Sequence, residues 1–260
     1  MCEMKDDGVE ELGRMVYEKD GYAIYEVDGE EHKVCLYCND FRYTQLCPLL
    51  TAQLYAQNLS LFAKLFLDTK SVFFDVNSFL YYILVQTSPA PGQVIGFFSK
   101  EKMSWDNNNL ACILIFPPWQ RRGLGQLLIA SSYVLGRREG RFGGPEKPLS
   151  TPGRKGYMAY WSSEICRFVL RSAGKRTVSV KTMSEETWIS QEDIVAALRE
   201  MDVCEGRKTA GGSLVVNKSR VRLWAERHGV RLEPVVDLEA FVEEEEEEEE
   251  NEEVESSGDE

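Results

Sequence analysis

The sequence predicts an α/β domain of the α+β kind, with a central sheet of mixed strands and a small C-terminal lobe. Three observations predict it. Residues 15–29 alternate strand-forming side chains around two Asp-Gly pairs, which is typical of a hairpin. The apolar run 110–116 has the composition of a buried strand and leads into a helical pattern over 125–138. Residues 178–216 then predict two short helices and a hairpin, as in a helix-turn-helix or winged-helix-like lobe.

The elements between the hairpin and the buried run are predicted from periodicity and turn residues. Apolar side chains recur at helical spacing from Leu54 to Leu67, so we expect a helix there. Residues 71–76 are expected to form a strand, and residues 78–86 a helix with Ser78 as its N-cap. The Pro-Ala-Pro-Gly sequence at 89–92 breaks the chain before a strand predicted over 94–100.

The second half of the chain is predicted in the same way. Two prolines at 117–118 end the apolar strand, and Arg137 and Arg138 favour the C-terminal end of the helix that follows. A Gly- and Pro-rich loop over 140–153 precedes a helix expected over 154–170. We therefore divide the chain into a core over 1–170, a lobe of the same domain over 171–235 and an acidic, disordered tail over 236–260.

The composition limits the class of protein. The chain has 260 residues and a formal charge of −13, but residues 243–260 hold 13 acids and no Lys or Arg, so the body is neutral. No apolar run approaches the roughly 18 to 20 residues that cross a bilayer, and the N-terminus lacks the apolar core of a secretory signal. We expect an intracellular protein. Seven scattered cysteines favour free thiols, a metal site or one reactive cysteine over disulfides.

A Gln-Arg-Arg-Gly-Leu-Gly turn at 120–125 lies between the buried strand and the next helix. Glycines let backbone amides turn toward a ligand, the helix N-terminus adds positive potential and two arginines add charge, which together suit a pyrophosphate. Such turns also occur at plain helix entries. The order strand, turn and helix favours the ligand-binding interpretation.

This turn resembles the acetyl-coenzyme A (acetyl-CoA) site of GNAT-like acetyltransferases, and its flanks resemble the MYST histone acetyltransferases. Similar blocks at 25–29, 57–68, 96–102, 111–114 and 144–150 extend the resemblance over roughly residues 15–216. Residues 104–109 and 143–144 look most like the fungal silencing-type branch. The resemblance implies a GNAT-like core that transfers acetyl from acetyl-CoA to the ε-amine of a histone-tail lysine. It also implies a nuclear protein that acts on nucleosomes within a multisubunit chromatin complex.

The resemblance implies catalytic roles for two residues. Glu146 is implied as the general base, which the reaction needs because a lysine with a pKa near 10.4 is protonated at pH 7. The alternative is a solvated carboxylate paired with Lys147. Cys112 is implied beside the base, either to accept acetyl covalently or to line the pocket; its sequence context alone indicates a small buried hydrophobe. Because an anionic neighbour opposes thiolate formation, we expect direct attack by the substrate lysine.

The resemblance also implies cofactor contacts and a modified lysine. Ser150 is expected to hydrogen-bond the cofactor or its departing thiolate, and also to cap the next helix. Thr-Pro-Gly at 151–153 replaces the family's Asp-Leu-Gly, so helix entry is expected to differ locally. Lys70 aligns with the lysine that MYST enzymes acetylate on themselves; the alternative is a surface lysine before a strand. The implied cofactor-binding residues are Cys112, Ile113, Leu114, Gln120, Arg121, Arg122, Gly123, Leu124, Gly125, Gln126 and Ser150.

Two segments depart from the family pattern. A Cys-Cys-His-Cys zinc finger usually precedes the hairpin, but Cys2 is the single candidate ligand there, so we expect the finger to be missing. Residues 34–53 look like an insertion, or like arbitrary sequence read into a gene model. Four residues in and beside it have spacing that resembles zinc ligands: His32, Cys35, Cys38 and Cys47. The family offers no precedent for a site there, and we expect no metal.

Other functions stay open at this point. The main alternative is a catalytically impaired chromatin-binding subunit that keeps the acetyltransferase fold, and a weaker one is an acetyltransferase for small amines or non-histone proteins. Intact Glu146, Cys112 and residues 120–125 argue against the binding subunit. Basic residues in the lobe are balanced by acids, so we expect no sequence-specific DNA reading. The acidic tail either solubilises the chain or attracts basic histones.

Overall fold

The structure, a computed structural model, describes residues 13–30, 52–67, 70, 74–89, 92–172, 179–208 and 214–243. In this part, five strands form one sheet in which each strand pairs antiparallel with the next. They are β1 (Arg14–Lys19), β2 (Tyr22–Asp28), β3 (Phe79–Gln86), β4 (Gln93–Glu101) and β5 (Cys112–Ile115). The parallel component of the expected mixed sheet is a bridge between Leu110 and Pro145.

Helices cover both faces of this sheet. They are α1 (Ala52–Lys64), α2 (Leu124–Arg138), α3 (Thr151–Arg171), α4 (Val180–Thr187), α5 (Gln191–Met201) and α6 (Lys218–Arg227), with a hairpin of β6 (Cys204–Lys208) and β7 (Leu214–Val216) before α6. Side chains of α1 share one core cluster with the sheet, and those of α2 and α3 share the other. None of the described helices is both long and apolar enough to span a membrane.

The segment predicted as a helix over 78–86 is strand β3, so that prediction is wrong. Tyr82 and Leu84 face the cluster of α2 and α3, while Tyr81, Ile83 and Val85 face the cluster of α1. Burial on both faces removes the polar–apolar alternation that reveals a strand, although aromatic and β-branched residues favour one. The strand expected over 71–76 is not found at 74–76, and residues 71–73 lie outside the described part.

Strand β5 is shorter and less buried than predicted. It begins at Cys112 instead of residue 110, and Leu114 is its one buried residue. The reason is its place in the sheet, since β5 pairs with β4 and is the outermost described strand on that side. The predicted hairpin, α1, β4, α2 and α3 are confirmed, with shifts of a few residues at their ends.

The C-terminal lobe packs directly on the core. Trp161 and Ile165 of α3 share one hydrophobic cluster with Ile194 and Leu198 of α5 and with Val221 of α6. The lobe contains the two short helices and the hairpin that the sequence predicts. Helix α3 therefore joins the sheet to the lobe. Because close-packed interiors transmit strain, a displacement of the lobe would shift the sheet as well.

The folded chain continues beyond the predicted boundary at 235. Phe241 is buried, and its ring centroid lies 4.9 Å from that of Tyr17 on β1. The Val242 N–H donates to the Val16 carbonyl at 3.1 Å. Residues 236–243, which the sequence assigned to the tail, therefore belong to the folded chain, and residues from 244 onward lie outside the described part.

Candidate active site

The loop that carries Glu146 is bonded to the chain just before β5. The Glu146 N–H donates to the Leu110 carbonyl at 2.8 Å, and the Asn109 N–H donates to the Gly144 carbonyl at 2.9 Å. Leu110 stands two residues before Cys112. These bonds therefore place the backbone of Glu146 beside the strand that carries Cys112, as the family resemblance implies for a base and its neighbouring cysteine.

The start of this loop requires a glycine. A Cβ atom at Gly143 would lie 1.6 Å from the carbonyl oxygen of Asn107, a distance that no side chain can occupy. The two loops around residues 107 and 143 consequently touch through their backbones. This contact fixes the loop 143–148, which we call the catalytic loop after the role expected of Glu146, against the chain leading into β5.

Lys70 lies at the same end of β5. Its Nζ is 3.6 Å from the Cys112 Sγ. Burial of the Glu146 carboxyl raises its pKa above the ordinary value, the nearby Glu101 charge raises it further, and the Lys70 charge acts in the opposite direction. A carboxylate with a raised pKa is a stronger proton acceptor. Glu146 as a whole remains exposed, so an incoming amine could reach it.

Lys147 pairs with a different acid from the one that the sequence alternative proposed, which was its neighbour Glu146. The Lys147 Nζ donates to the Asp193 Oδ1 at 2.8 Å, across to α5 of the lobe. Lys147 therefore neutralises a buried carboxylate of the lobe.

The turn between β5 and α2 presents backbone to open space. Arg121 and Gly123 both have positive φ, at 64° and 83°, and Gly123 is the N-cap of α2. No side chain caps this helix and its first turn holds no acid, while a Cβ at Gly123 or Gly125 would meet nothing within 4 Å. The positive end of the helix is thus open to an anion. Arg122, which donates to the Pro118 carbonyl at 3.2 Å, is exposed beside it.

Other predicted cofactor residues support this turn from behind. The Gln120 Nε2 donates to the Ile115 carbonyl at 2.9 Å, and the Gln126 Nε2 donates to the Gly156 carbonyl on α3 at 2.8 Å. Leu124 is buried in the core beneath α2. These three side chains hold the turn in shape, so their contribution to a ligand would come through the backbone.

The remaining predicted residues lie on β5 and at the start of α3. Ile113 and Leu114 pack into opposite core clusters. The Ser150 Oγ accepts the Gly153 N–H at 3.2 Å and caps α3, which begins at Thr151 despite the changed sequence there. A serine oxygen that accepts one hydrogen bond can still donate its own hydrogen.

The candidate site thus has two parts, separated by the four residues of β5. Glu146, Cys112 and Lys70 lie at the first end, and the turn 120–126 lies at the other. At about 3.3 Å per residue, β5 sets them roughly 10 Å apart along the strand. The structure therefore gathers the predicted catalytic residues at one place and the predicted pyrophosphate turn at another, along one sheet edge.

The sequence of this chain matches the MOZ/SAS family over residues 50–240, a range that includes every predicted site residue. The chain belongs to the MOZ/SAS family. Three proteins to which the chain is similar are named histone acetyltransferases. MOF of Drosophila melanogaster is 40% identical over 207 residues, 80% of this chain and 23% of that protein. The MYST family 1 histone acetyltransferase of Arabidopsis thaliana is 39% identical over 196 residues, which are 75% of this chain and 39% of that protein. KAT6B of Mus musculus is 36% identical over 208 residues, which are 80% of this chain and 10% of that protein.

The resemblance of this MOZ/SAS chain to MYST proteins is confirmed. The chain spans less than half the length of the curated relatives it matches. Among solved structures it is similar to an aminoglycoside acetyltransferase, meta-AAC0020, from an uncultured soil metagenomic sample. That match has a TM-score of 0.32 and 13% identity, over 61% of this chain and 92% of the other, and it bears on neither fold nor substrate.

One contact of the MOZ/SAS site has no counterpart in the sequence reasoning. Residues 190–193 have the local pattern of a helix N-terminus, and the Ser190 Oγ accepts the Asp193 N–H at 3.1 Å. The contact between Asp193 and Lys147 joins residues 46 positions apart. Nothing local in the sequence indicates that pairing, so it emerges from the tertiary structure alone.

Within the described part of the MOZ/SAS chain, no three His, Cys, Asp or Glu residues gather where they could hold a metal ion. The zinc-like residues of the insertion, His32, Cys35, Cys38 and Cys47, lie outside that part. The absence of zinc therefore stays a prediction, as does the missing finger.

Proposed function

We propose that this chain is the acetyl-transferring domain of a histone lysine acetyltransferase, with acetyl-CoA as co-substrate and Glu146 as general base. The observation that carries the proposal is the bond between the Glu146 N–H and the Leu110 carbonyl, which holds a carboxylate of raised pKa beside the strand of Cys112. The names of the MOZ/SAS relatives support the substrate class. We also infer nuclear localisation, partner subunits of a chromatin complex and, from residues 104–109 and 143–144, kinship with the fungal silencing-type branch.

The residues at the turn 120–126 fit the anionic part of acetyl-CoA. The open N-terminus of α2 supplies backbone N–H groups and positive potential, and Arg121 and Arg122 supply charge. The glycines leave room for close approach, since a Cβ at Gly123 or Gly125 meets open space. When bound, acetyl-CoA supplies an acetyl group activated as a thioester. Ser150 would donate a hydrogen bond from its hydroxyl group to the thioester sulfur.

The chemistry assigned to the chain's own residues is proton transfer and orientation. Glu146 accepts a proton from the substrate ammonium, and the neutral amine then attacks the acetyl carbonyl. The C–S bond would break as the C–N bond forms, and the second amine proton would neutralise the departing thiolate. Ser150 would donate the hydrogen bond that stabilises that charge as it develops. Lys70, with its Nζ 3.6 Å from the Cys112 Sγ, is close enough to this end of β5 to be acetylated by the same site.

The test of this function is labelled acetyl transfer from acetyl-CoA to core histones, with free small amines as the competing acceptor. We expect transfer to histone lysines. Heat protection by coenzyme A without any transfer would instead support a binding module. A version lacking residues 34–53, run in parallel, shows whether the insertion affects activity.

Replacing Cys112 with alanine is expected to leave kcat within about fivefold of the unchanged chain, because direct attack needs no covalent acetyl-cysteine. The half-buried Cys204, on the lobe, provides a matched Cys→Ala control. Steady-state kinetics and mass spectrometry of the chain with acetyl-CoA make the measurement. A loss of two orders of magnitude, together with an acetylated Cys112 in the unchanged chain, would establish the covalent route instead.

Replacing Lys70 with glutamine, which mimics acetyl-lysine, is expected to move the acid limb of the kcat profile to higher pH. The Lys70 charge lowers the pKa of Glu146, so its removal lets that pKa rise. The base is then protonated, and inactive, over a wider acid range. The exposed Lys181→Gln on α4 is the control. A limb that stays in place or moves to lower pH would show that Lys70 does not act on the base.

A further inference from the structure

A buried acid outside the proposed catalytic set contacts the catalytic loop. Asp193, in the first turn of α5, is 4% exposed. Its Oδ1 accepts the Lys147 Nζ at 2.8 Å, and its Oδ2 accepts the Ser190 Oγ at 2.7 Å. One oxygen thus serves the loop and the other serves its own helix. Lys147 is the residue directly after the proposed base.

The same carboxylate lies against the loop on the other side of Glu146. The Cβ direction of Gly144 points toward this carboxylate, because a Cβ placed there would be 3.4 Å from the Asp193 Oδ2 and 3.8 Å from the Tyr133 hydroxyl oxygen. The Tyr133 hydroxyl is itself held by the Trp161 Nε1, which donates to it at 2.8 Å. Glu146 therefore lies between Lys147, which pairs with Asp193, and Gly144, which faces the same carboxylate.

Helix capping alone does not account for this acid. The Ser190 Oγ accepts the Asp193 N–H and so caps α5 without help from the carboxylate. A buried carboxylate is costly unless a counter-charge pairs with it. Holding the exposed Lys147 side chain in one position costs rotamer entropy, and its pairing with the buried carboxylate offsets that cost. The pair therefore holds the loop rather than the helix.

We propose that Asp193 is a positioning residue for acetyl transfer, which holds the catalytic loop through Lys147 so that the Glu146 carboxylate meets the substrate amine. The inference rests on the proposed function, because it assigns Asp193 a role through the base. Two anchors then fix the loop. The Leu110 carbonyl binds it from the sheet, and Asp193 binds it from the lobe.

The first test compares Asp193→Asn with Asn217→Ala in the full chain. The amide is expected to reduce kcat about 10- to 100-fold through misplacement of the base, with KM for acetyl-CoA little changed. Its acid limb is expected to move to lower pH, because a looser loop exposes Glu146 to water and relieves the burial that raises its pKa. Asn217→Ala removes the N-cap of α6 in the same lobe, so it reduces stability without touching the loop.

The second test examines whether Asp193 acts through Lys147. Lys147→Met is expected to reproduce the loss in kcat. The double variant with Asp193→Asn should have a kcat no lower than that of the less active single variant. Lys147→Arg retains the charge and should recover most of the activity. Fully additive losses would show that the two residues act separately and would overturn the proposal.

The third test needs no turnover, and so separates this inference from the proposed function. Exchange of the Glu146 amide hydrogen, which bonds to the Leu110 carbonyl, is expected to be faster in Asp193→Asn while the amides between β3 and β4 stay protected. Unchanged exchange together with an unmoved pH profile, in a variant that only melts earlier, would overturn the proposal. An unaltered chain that transfers no acetyl would overturn the proposed function, and faster exchange in the variant would still support positioning of the loop.

Discussion

Glu146→Gln is expected to reduce kcat for acetyl transfer to histones by about 10²- to 10⁴-fold, the range that a lost general base produces. The amide is nearly the same size as the carboxylate, and the Glu146 N–H bond to Leu110 involves only the backbone, so the catalytic loop should keep its shape. Coenzyme A binding, measured by calorimetry, should therefore stay within about twofold, since the turn at 120–126 lies roughly 10 Å away along β5.

The matched control is Glu226→Gln, an exposed acid on α6 that makes the same chemical change away from the loop. It should leave kcat unaltered. If Glu146→Gln kept full activity, the base would have to be another group. If it lost coenzyme A binding as well, the two parts of the site would not be independent as the structure indicates.

The second large effect is expected from Gly125→Asp, which should stabilise the fold and impair cofactor binding at once. A Cβ at Gly125 meets no atom within 4 Å, so the side chain fits, and a carboxylate in the first turn of α2 interacts favourably with the helix dipole. That interaction is worth about 0.3 to 1 kcal/mol. A negative charge there repels the pyrophosphate, which we expect to weaken coenzyme A binding tenfold or more, which is about 1.4 to 4 kcal/mol.

Ser219→Asp provides the comparison, because it places the same acid at the second position of α6, far from the turn 120–126. It should raise the melting temperature by a similar amount and leave coenzyme A affinity alone. Equal coenzyme A affinity in Gly125→Asp and the unchanged chain would mean that the anion binds elsewhere. A fall in melting temperature would mean that the space beside Gly125 is not open.

The sequence revealed much of the fold and most of the candidate site, for reasons that differ by element. The hairpin and α2 carry strong local patterns, with Asp-Gly turns in one and apolar spacing in the other, and both were predicted. The central strand β3 was missed because Tyr81 and Tyr82 face different cores and leave no alternation to see. The turn at 120–126 is contiguous in sequence and was recognisable as a motif.

The contact of Asp193 with the catalytic loop shows the limit of such reasoning. Its local sequence, Ser190 followed three residues later by an acid, fully matches a helix N-terminus. The carboxylate reaches Lys147 only because α3 joins the lobe to the sheet and brings α5 beside the loop. Pairings of this kind depend on how layers pack, and no local pattern encodes them.

The contact of Phe241 and Val242 with β1 bears on whether that sheet edge can pair with a strand of another copy of the chain. An uncovered sheet edge offers unpaired backbone groups to any other strand and is a common route to aggregation. Of the two edges of the described sheet, β1 is covered by the chain itself, through the bridge from Tyr17 to Phe241 and the bond from Val242 to Val16. The other edge, β5, pairs with no further strand among the described residues and lies beside the proposed acetyl-transfer site. A shortened version of this chain should therefore end after Val242, because an earlier end would remove the contacts that cover β1 and expose that edge to intermolecular pairing.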